Sequence, residues 1–215
     1  MKTIICALWI LLTIPAALIA QTKQATATRV ANGAVQIDGR LDDQVWSQAV
    51  PIEDFIQKEP NEGMLPTENT EVRILYDDSA VYIGARMGSR ESPSIQAPLG
   101  RRDGVEGQAE YLMVSLDTFH DRLTAYGFGV TATGVRLDRF YASDNEGNSD
   151  EGFDPVWQAK ANIEDEGWTA ELWIPFSQLR FNDQPELIWG LNIQRFIPTL
   201  NEMDYWIPIP RTVQA

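Results

Sequence analysis

The fold of this chain is decided by the stretch Gln36-Ile37-Asp38-Gly39-Arg40-Leu41-Asp42-Asp43-Gln44-Val45-Trp46. Val35 and Ile37 alternate with polar neighbours as in a half-buried strand, and Asp38-Gly39 is a turn pair in which glycine adopts a positive φ without strain. Asp42 or Asp43 would cap a short helical turn that brings Trp46 back onto the sheet. The stretch therefore predicts the opening of a β-sandwich.

The rest of the 215-residue chain reads as short strands separated by turns, with little helical periodicity. One predicted strand has an unusual pattern. Its residues Tyr126, Phe128 and Val130 face inward, whereas Ala125, Gly127 and Gly129 leave the other face without large side chains. This bare face indicates close packing by the second sheet or a neighbouring loop. About ten strands at this spacing predict an all-β, antiparallel sandwich of immunoglobulin-like or jelly-roll-like type. The main predicted strands are 70–76, 81–87, 110–117, 123–133, 135–142, 156–163, 168–176, 188–197 and 203–207.

The N-terminus has the pattern of an export signal. Lys2 precedes an apolar run, Ile4 to Ile14, that is too short to span a membrane, and small residues follow up to Ala20. Cleavage after Ala20 is expected, and an uncleaved anchor is the alternative. We expect residues 1–20 to be a signal peptide, 21–30 a short lead, 31–211 one sandwich domain and 212–215 the start of a following region. The mature chain would lie in the periplasm, the outer membrane or the surface of a bacterium.

Charge and residue counts exclude several functions. The formal net charge is −14, so a nucleic-acid backbone would be repelled. The single cysteine, Cys6, lies in the predicted signal, and His120 is the one histidine. Neither a Cys-His pair nor a histidine-rich metal centre can form, and no catalytic motif marks a pair of carboxylates. The sequence thus favours a binding module over an enzyme.

Several motifs occur together in one order along residues 34–211. They are Ile37-Asp38-Gly39 with Trp46, Tyr76-Asp77-Asp78 before Val81-Tyr82-Ile83-Gly84, Ser115-Leu116-Asp117-Thr118, and Gly167-Trp168-Thr169-Ala170-Glu171 with Ile174-Pro175-Phe176. In this the chain resembles the family 9 carbohydrate-binding modules. Further motifs resemble a bacterial subgroup in which the module follows a signal peptide and precedes an outer-membrane barrel: Arg101-Arg102-Asp103, Asp117-Thr118-Phe119-His120-Asp121-Arg122, Tyr126-Gly127-Phe128-Gly129-Val130, Trp157-Gln158-Ala159-Lys160 and Pro208-Ile209-Pro210-Arg211.

The resemblance implies a sandwich that holds an oligosaccharide or polysaccharide between aromatic faces and that serves polysaccharide catabolism. This sequence has Arg101-Arg102-Asp103 where the family places one clamping tryptophan. The alternative is a structural or interaction module that contacts its own C-terminal barrel and no longer binds sugar. Any glycoside hydrolase activity would then belong to a partner or to a following region.

Candidate sugar-binding residues are aromatic, or carry a guanidinium or carboxylate group that can make two parallel hydrogen bonds. Trp206 and Tyr205 lie near a polar turn at a strand end, and Trp173 is out of phase with its strand, so it is either a platform or packed beneath a loop. Arg101, Arg102 and Asp103 form either a surface ion-pair network or a hydroxyl-binding cluster. Arg195 lies in an apolar strand as a paired buried charge or a site residue.

An acidic loop offers the oxygen ligands that calcium prefers. Its candidate ligands are Asp144, Asn148, Asp150 and Asp154, although their spacing does not fit an EF-hand. A solvated acidic loop is the alternative. No cofactor is required, and a structural calcium ion is the one metal that the resemblance suggests.

Overall fold

The protein is a two-sheet β-sandwich, described by a computed structural model for residues 23–90, 95–105, 107–143, 149–150 and 152–213. Within these ranges there is no α-helix, and the helical turns are of the 3-10 type, at Gln44–Gln48, Phe176–Gln178 and Pro198–Leu200. The predicted all-β sandwich is confirmed. The strands are β1 Thr28–Arg29, β2 Ile56–Glu59, β3 Thr70–Tyr76, β4 Ala80–Gly88, β5 Tyr111–Asp117, β6 Ala125–Thr131, β7 Arg136–Tyr141, β8 Ser149–Asp150, β9 Gln158–Glu164, β10 Gly167–Pro175, β11 Gly190–Ile197 and β12 Glu202–Tyr205.

The strands form a five-stranded sheet in the order β1-β3-β4-β10-β9 and a seven-stranded sheet in the order β2-β12-β11-β5-β6-β7-β8. Every pairing is antiparallel except β1 with β3. Alternate residues of the two sheets meet in one core, and Trp157 and Trp168 are each 1% exposed within it. In the described ranges, no helix is long and apolar enough to cross a membrane.

The opening stretch folds onto the outer face of the five-stranded sheet. Trp46 packs there against Leu75 and Tyr82, in a cluster separate from the main core. Glu171 of β10 fixes the stretch from below: its Oε2 accepts the backbone N–H groups of Asp38 and Gly39, and its Oε1 accepts the indole N–H of Trp46, each at 2.9 Å. A single buried carboxylate thus ties the turn and the helical turn to a strand of the sheet.

Two local predictions for this stretch are wrong. Residues 35–37 form no strand, because the chain turns at Gly33 and then lies over the sheet rather than beside it. Asp43 occupies the N-cap position of the 3-10 turn, but its carboxylate accepts the N–H of Gln36 instead of capping the turn. The acidic residue therefore closes the loop before the turn.

The predicted strands at 70–76, 81–87, 156–163 and 168–176 are present as neighbouring antiparallel strands, and the short edge strands were missed. β3 pairs with β4, and β9 pairs with β10. β1, β2 and β8 are two to four residues long and lie at sheet edges. They are too short to show an alternation of apolar and polar residues. The bare face of β6 is covered by neither the second sheet nor a loop: a Cβ on Gly129 would meet Met113 Cε at 2.8 Å, and one on Gly127 would meet the Tyr141 ring at 3.1 Å. Side chains of the adjacent strands of the same sheet lie across the glycines.

Candidate functional site

The basic cluster at 101–103 holds a loop against the edge of the larger sheet. Arg102 Nε donates to Asp138 Oδ1 at 2.5 Å, its Nη1 pairs with Asp154, and its Nη2 donates to the carbonyl of Pro155 at 3.0 Å. Asp103 Oδ1 accepts the N–H of Asp138, and burial raises the pKa of Asp103. Arg101 is exposed. Of the two alternatives for this cluster, the structure shows the ion-pair network.

Arg195 is a paired buried charge. Its side chain is 0% exposed, and all five of its N–H groups are used: Nε and Nη2 donate to Glu110 Oε1, Nη1 donates to Asn69 O and Thr70 Oγ1, and Nη2 also donates to Gly88 O. Glu110 Oε1 in addition accepts the indole N–H of Trp168 at 2.8 Å. This network bridges the two sheets and leaves Arg195 no donor for a ligand.

The two tryptophan candidates lie away from each other. Trp173 is half-buried in the outer cluster beside Tyr82, its cross-strand neighbour, so it packs beneath the opening stretch. Trp206 is 5% exposed in the main core. Trp206 also lines a hollow beside residues 23–26 and 50–54, where Lys23 Nζ lies over its ring, 6.0 Å from the centroid.

The proposed calcium ligands are only partly described. Asp144 and Asn148 lie outside the described residues. Asp150 Oδ1 accepts the N–H of Gly152, and Asp154 pairs with Arg102. Among the residues that the structure describes, no three histidine, cysteine, aspartate or glutamate side chains are grouped to hold a metal ion. Calcium binding by this loop stays a prediction.

A groove of about 380 Å³ runs across the outer face of the seven-stranded sheet. Its floor consists of small or polar residues on β5, β6 and β11, such as Ser115, Ala125 and Gly190. Tyr141 on β7 closes one side and Tyr205 on β12 the other. These strands are four spacings apart in the sheet, about 19 Å between backbones. The groove exists because small residues lie between two tyrosines on a twisted sheet.

The walls combine apolar surface with polar groups. Leu123, 58% exposed, and the half-buried Ile207 and Ile209 form the apolar rim. Asn192 holds Ile207 in place, because its Nδ2 donates to Ile207 O and its Oδ1 accepts the N–H of Ile207. Asp117 fixes the segment just before Leu123 by accepting the N–H groups of Asp121 and Arg122. Both parts of the rim are therefore anchored by side chains that also line the groove.

Three polar groups of the groove are unused within the described part of the chain. They are the hydroxyl of Ser115, the Oε1 of Gln194 and the guanidinium of Arg122, none of which makes a hydrogen bond there; Gln194 Nε2 donates to the Tyr111 hydroxyl and contacts Met203 Sδ. Arg122 is held at a φ of 59° by the Asp117 contact to its backbone. The groove is therefore lined by a guanidinium that can donate, an amide oxygen that can accept and a hydroxyl that can do both.

The groove contains one of the seven sequence candidates, Tyr205. Trp206, the next residue, points to the opposite face of the sheet, and Trp173, Arg101, Arg102, Asp103 and Arg195 lie elsewhere. The part of the sequence signal that lies in the groove is Ala125, on the face of β6 that carries small residues; Gly127 and Gly129 of the same face lie beneath Tyr141 and Met113 instead. Ser115 on the neighbouring strand, paired with Gly127, also lines the groove.

The fold is shared with carbohydrate-binding modules of known structure. A family 9 carbohydrate-binding module from Caldicellulosiruptor kristjanssonii, solved in complex with cellotriose, is similar with a TM-score of 0.56 and 15% identity, over 84% of each chain. The module solved with glucose is similar with a TM-score of 0.56 and 16% identity, over 84% of this chain and 85% of that one. The structure of a candidate carbohydrate-binding protein from Bacteroides uniformis ATCC 8492 is similar with a TM-score of 0.61 and 11% identity, over 86% of this chain and 91% of that chain.

The sequence matches no protein-family model and no curated protein sequence. At these identities the structural likeness shows the sandwich fold of family 9 modules.

Proposed function

We propose that this protein binds carbohydrate in the groove of its seven-stranded sheet. The observation that carries the proposal is the convergence of three unused polar groups, on Ser115, Gln194 and Arg122, beside the apolar rim and Tyr205. The likeness to modules solved with cellotriose and glucose supports the same ligand class.

The chemistry of the groove suits a sugar. A pyranose has an apolar C–H face and a ring of hydroxyls, so it needs apolar or aromatic surface on one side and amide, hydroxyl or guanidinium groups on the other. Leu123, Ile207 and Ile209 supply the first. Gln194 Oε1 would accept from a hydroxyl, and Arg122 would donate two N–H groups to adjacent oxygens. The groove would hold a short oligosaccharide along the sheet.

Calorimetric titration against a panel of cello-, xylo- and other oligosaccharides tests the proposal. Arg122→Ala should weaken binding at least tenfold, because a hydrogen bond to a charged group contributes about 1.5–3 kcal/mol. Ser115→Leu should abolish binding, since three additional carbons would replace the hydroxyl on the floor of the groove. The matched control is Arg180→Ala, which removes an exposed guanidinium outside the groove. Neither groove variant should lower the melting temperature by more than a few degrees.

Two results would contradict the proposal: no heat with any sugar, or equal affinities for Arg122→Ala, Ser115→Leu and the wild type. No binding by a folded protein would favour the second candidate, an interaction module of a larger envelope protein. The feature that favours this candidate is the exposed apolar surface of Leu187 and Ile188, which are 44% and 63% exposed just before β11.

The proposed setting follows from the sequence. If residues 1–20 act as an export signal, the module would lie outside the cytoplasm, in the bacterial envelope, where it would serve the degradation or uptake of polysaccharide. A region beyond residue 215 would then anchor it, and an outer-membrane barrel is the form that the sequence motifs suggest.

A further inference from the structure

Asp204 is a buried carboxyl group with no hydrogen-bond donor. It lies on β12 and faces the interior at 0% exposure, and neither of its oxygens accepts a hydrogen bond from any described residue. Its cross-strand neighbour Gln57 on β2 has the same defect, because its Oε1 is also buried without a donor while its Nε2 donates to Leu65 O. An ionised carboxylate in this position would lose the free energy of its hydration, and no hydrogen bond would compensate for that loss.

The charged neighbours of Asp204 supply no donor either. Arg195 is opposite Asp204 on β11, but its five N–H groups are all directed to Glu110 and to other acceptors. Glu202, two residues before Asp204 on the same face, is an acceptor that already binds the N–H and hydroxyl of Thr67.

The remaining charges on adjacent strands face elsewhere. On β2, Lys58 lies over the Tyr205 ring and Glu59 pairs with Arg211. In the facing sheet, the charged side chains of β3 form a pair with each other, Arg73 with Glu71, and Arg86 of β4 pairs with Glu164. Among the described residues, the charges that act on Asp204 are therefore Glu202 and Arg195.

We propose that Asp204 is held protonated inside the folded protein and acts as a pH-sensitive latch on the β2–β12 edge of the larger sheet. A protonated Asp204 becomes a donor, and the acceptors it needs are present: Glu202 is within hydrogen-bonding reach and Gln57 Oε1 is unfilled. Loss of the proton leaves a second buried negative charge beside Glu202. The proposal is independent of what the groove binds.

The electrostatics agree with this geometry. Burial, followed by the charge of Glu202, raises the pKa of Asp204 from 3.8 to about 8, against the opposing effect of Arg195. Because the folded state binds this proton more tightly than the unfolded state, its contribution to stability is complete below pH 3.8 and is lost as the pH rises through about 8. The edge that loosens carries Tyr205, one wall of the groove.

Urea unfolding of the purified protein between pH 5 and pH 9 tests the latch. The ratio of the wild-type unfolding constant to that of Asp204→Asn should rise about tenfold for each pH unit up to pH 8 and then level off. Asp183→Asn removes an exposed carboxyl and should follow the wild type. Parallel curves for the wild type and Asp204→Asn would overturn the proposal.

Two measurements on the wild type decide the matter even if Asp204→Asn does not fold. The carboxyl carbon of Asp204, followed by NMR, should titrate well above pH 6; ionisation below pH 5 refutes the proposal. Amide exchange tests the local effect: protection at β2 and β12 should fall across the same pH range, and by at least as much as protection at β9, the edge of the other sheet. Unchanged protection at β2 and β12 would refute the latch.

Discussion

Replacing Glu110 with glutamine should destabilise the protein by about 3–5 kcal/mol, because it removes one partner of a fully buried ion pair. Glu110 Oε1 accepts from Arg195 Nη2 at 2.6 Å, from Arg195 Nε at 3.2 Å and from Trp168 Nε1 at 2.8 Å. Glutamine keeps one acceptor oxygen, which can serve these donors only as a neutral group. The guanidinium of Arg195, 0% exposed, would then be a buried charge without a counter-charge.

The assay is urea unfolding followed by tryptophan fluorescence, with Glu164→Gln as the matched control. Glu164 makes the same kind of pair with Arg86, but the side chains are 39% and 53% exposed, so we expect a loss of less than about 1 kcal/mol. The measurement is made at pH 6, below the pKa of about 8 of Asp204, so that Asp204 does not supply the missing charge. A loss for Glu110→Gln as small as that for Glu164→Gln would refute the reasoning.

A double-mutant cycle separates the indole contact from the ion pair. Trp168→Phe removes the N–H that Glu110 accepts while keeping an aromatic ring in the core. The two substitutions should show a coupling energy of about 1–2 kcal/mol, since both remove the same hydrogen bond. Additive effects would mean that the indole N–H contributes nothing through Glu110.

Two further predictions concern the packing of β6 and the N-terminus. Gly129→Ala places a Cβ 2.8 Å from Met113 Cε and should cost about 1–3 kcal/mol in urea unfolding. The same substitution made in a Met113→Ala background should cost less, and an unchanged stability of Gly129→Ala in the wild-type background would contradict the packing described. The export signal predicts Gln21 as the first residue of the protein isolated from the cell envelope; N-terminal sequencing that finds Met1 would exclude cleavage.

The strands that could be predicted from the sequence are those in which the residues of the strand alone show an alternation of apolar and polar side chains. β3 and β4 alternate apolar and polar residues around an Asp77-Asp78 turn, so the hairpin is visible locally. β2 is four residues of mixed character, and it is a strand because β12, far along the chain, supplies its partner. An edge strand defined by its partner carries no local signal.

The candidate site was harder to predict because side-chain direction decides it. Tyr205 and Trp206 are adjacent, yet one lines the groove and the other fills the core. Arg102 and Arg195 were singled out as charged residues in unusual places, and both owe that placement to buried carboxylates, Asp138 and Glu110. Charge in an apolar context identified structural ion pairs, whereas the groove is marked by small residues such as Ser115 and Ala125, which carry no chemical signature in a sequence.

The hydrogen bonds of Glu171 also constrain the order in which the protein acquires its structure. They join Asp38 and Gly39 to a residue more than 130 positions later in the chain, at sequence separations of 133 and 132. Closing so long a loop costs conformational entropy before any contact compensates for it, so such contacts form late. A chain emerging N-terminus first would leave the indole N–H of Trp46, and the backbone N–H groups of Asp38 and Gly39, without their acceptor until β10 has followed. A truncated chain that ends before β10 should therefore bind hydrophobic dyes and be cleaved by proteases around residues 36–46, although every residue of that stretch is present.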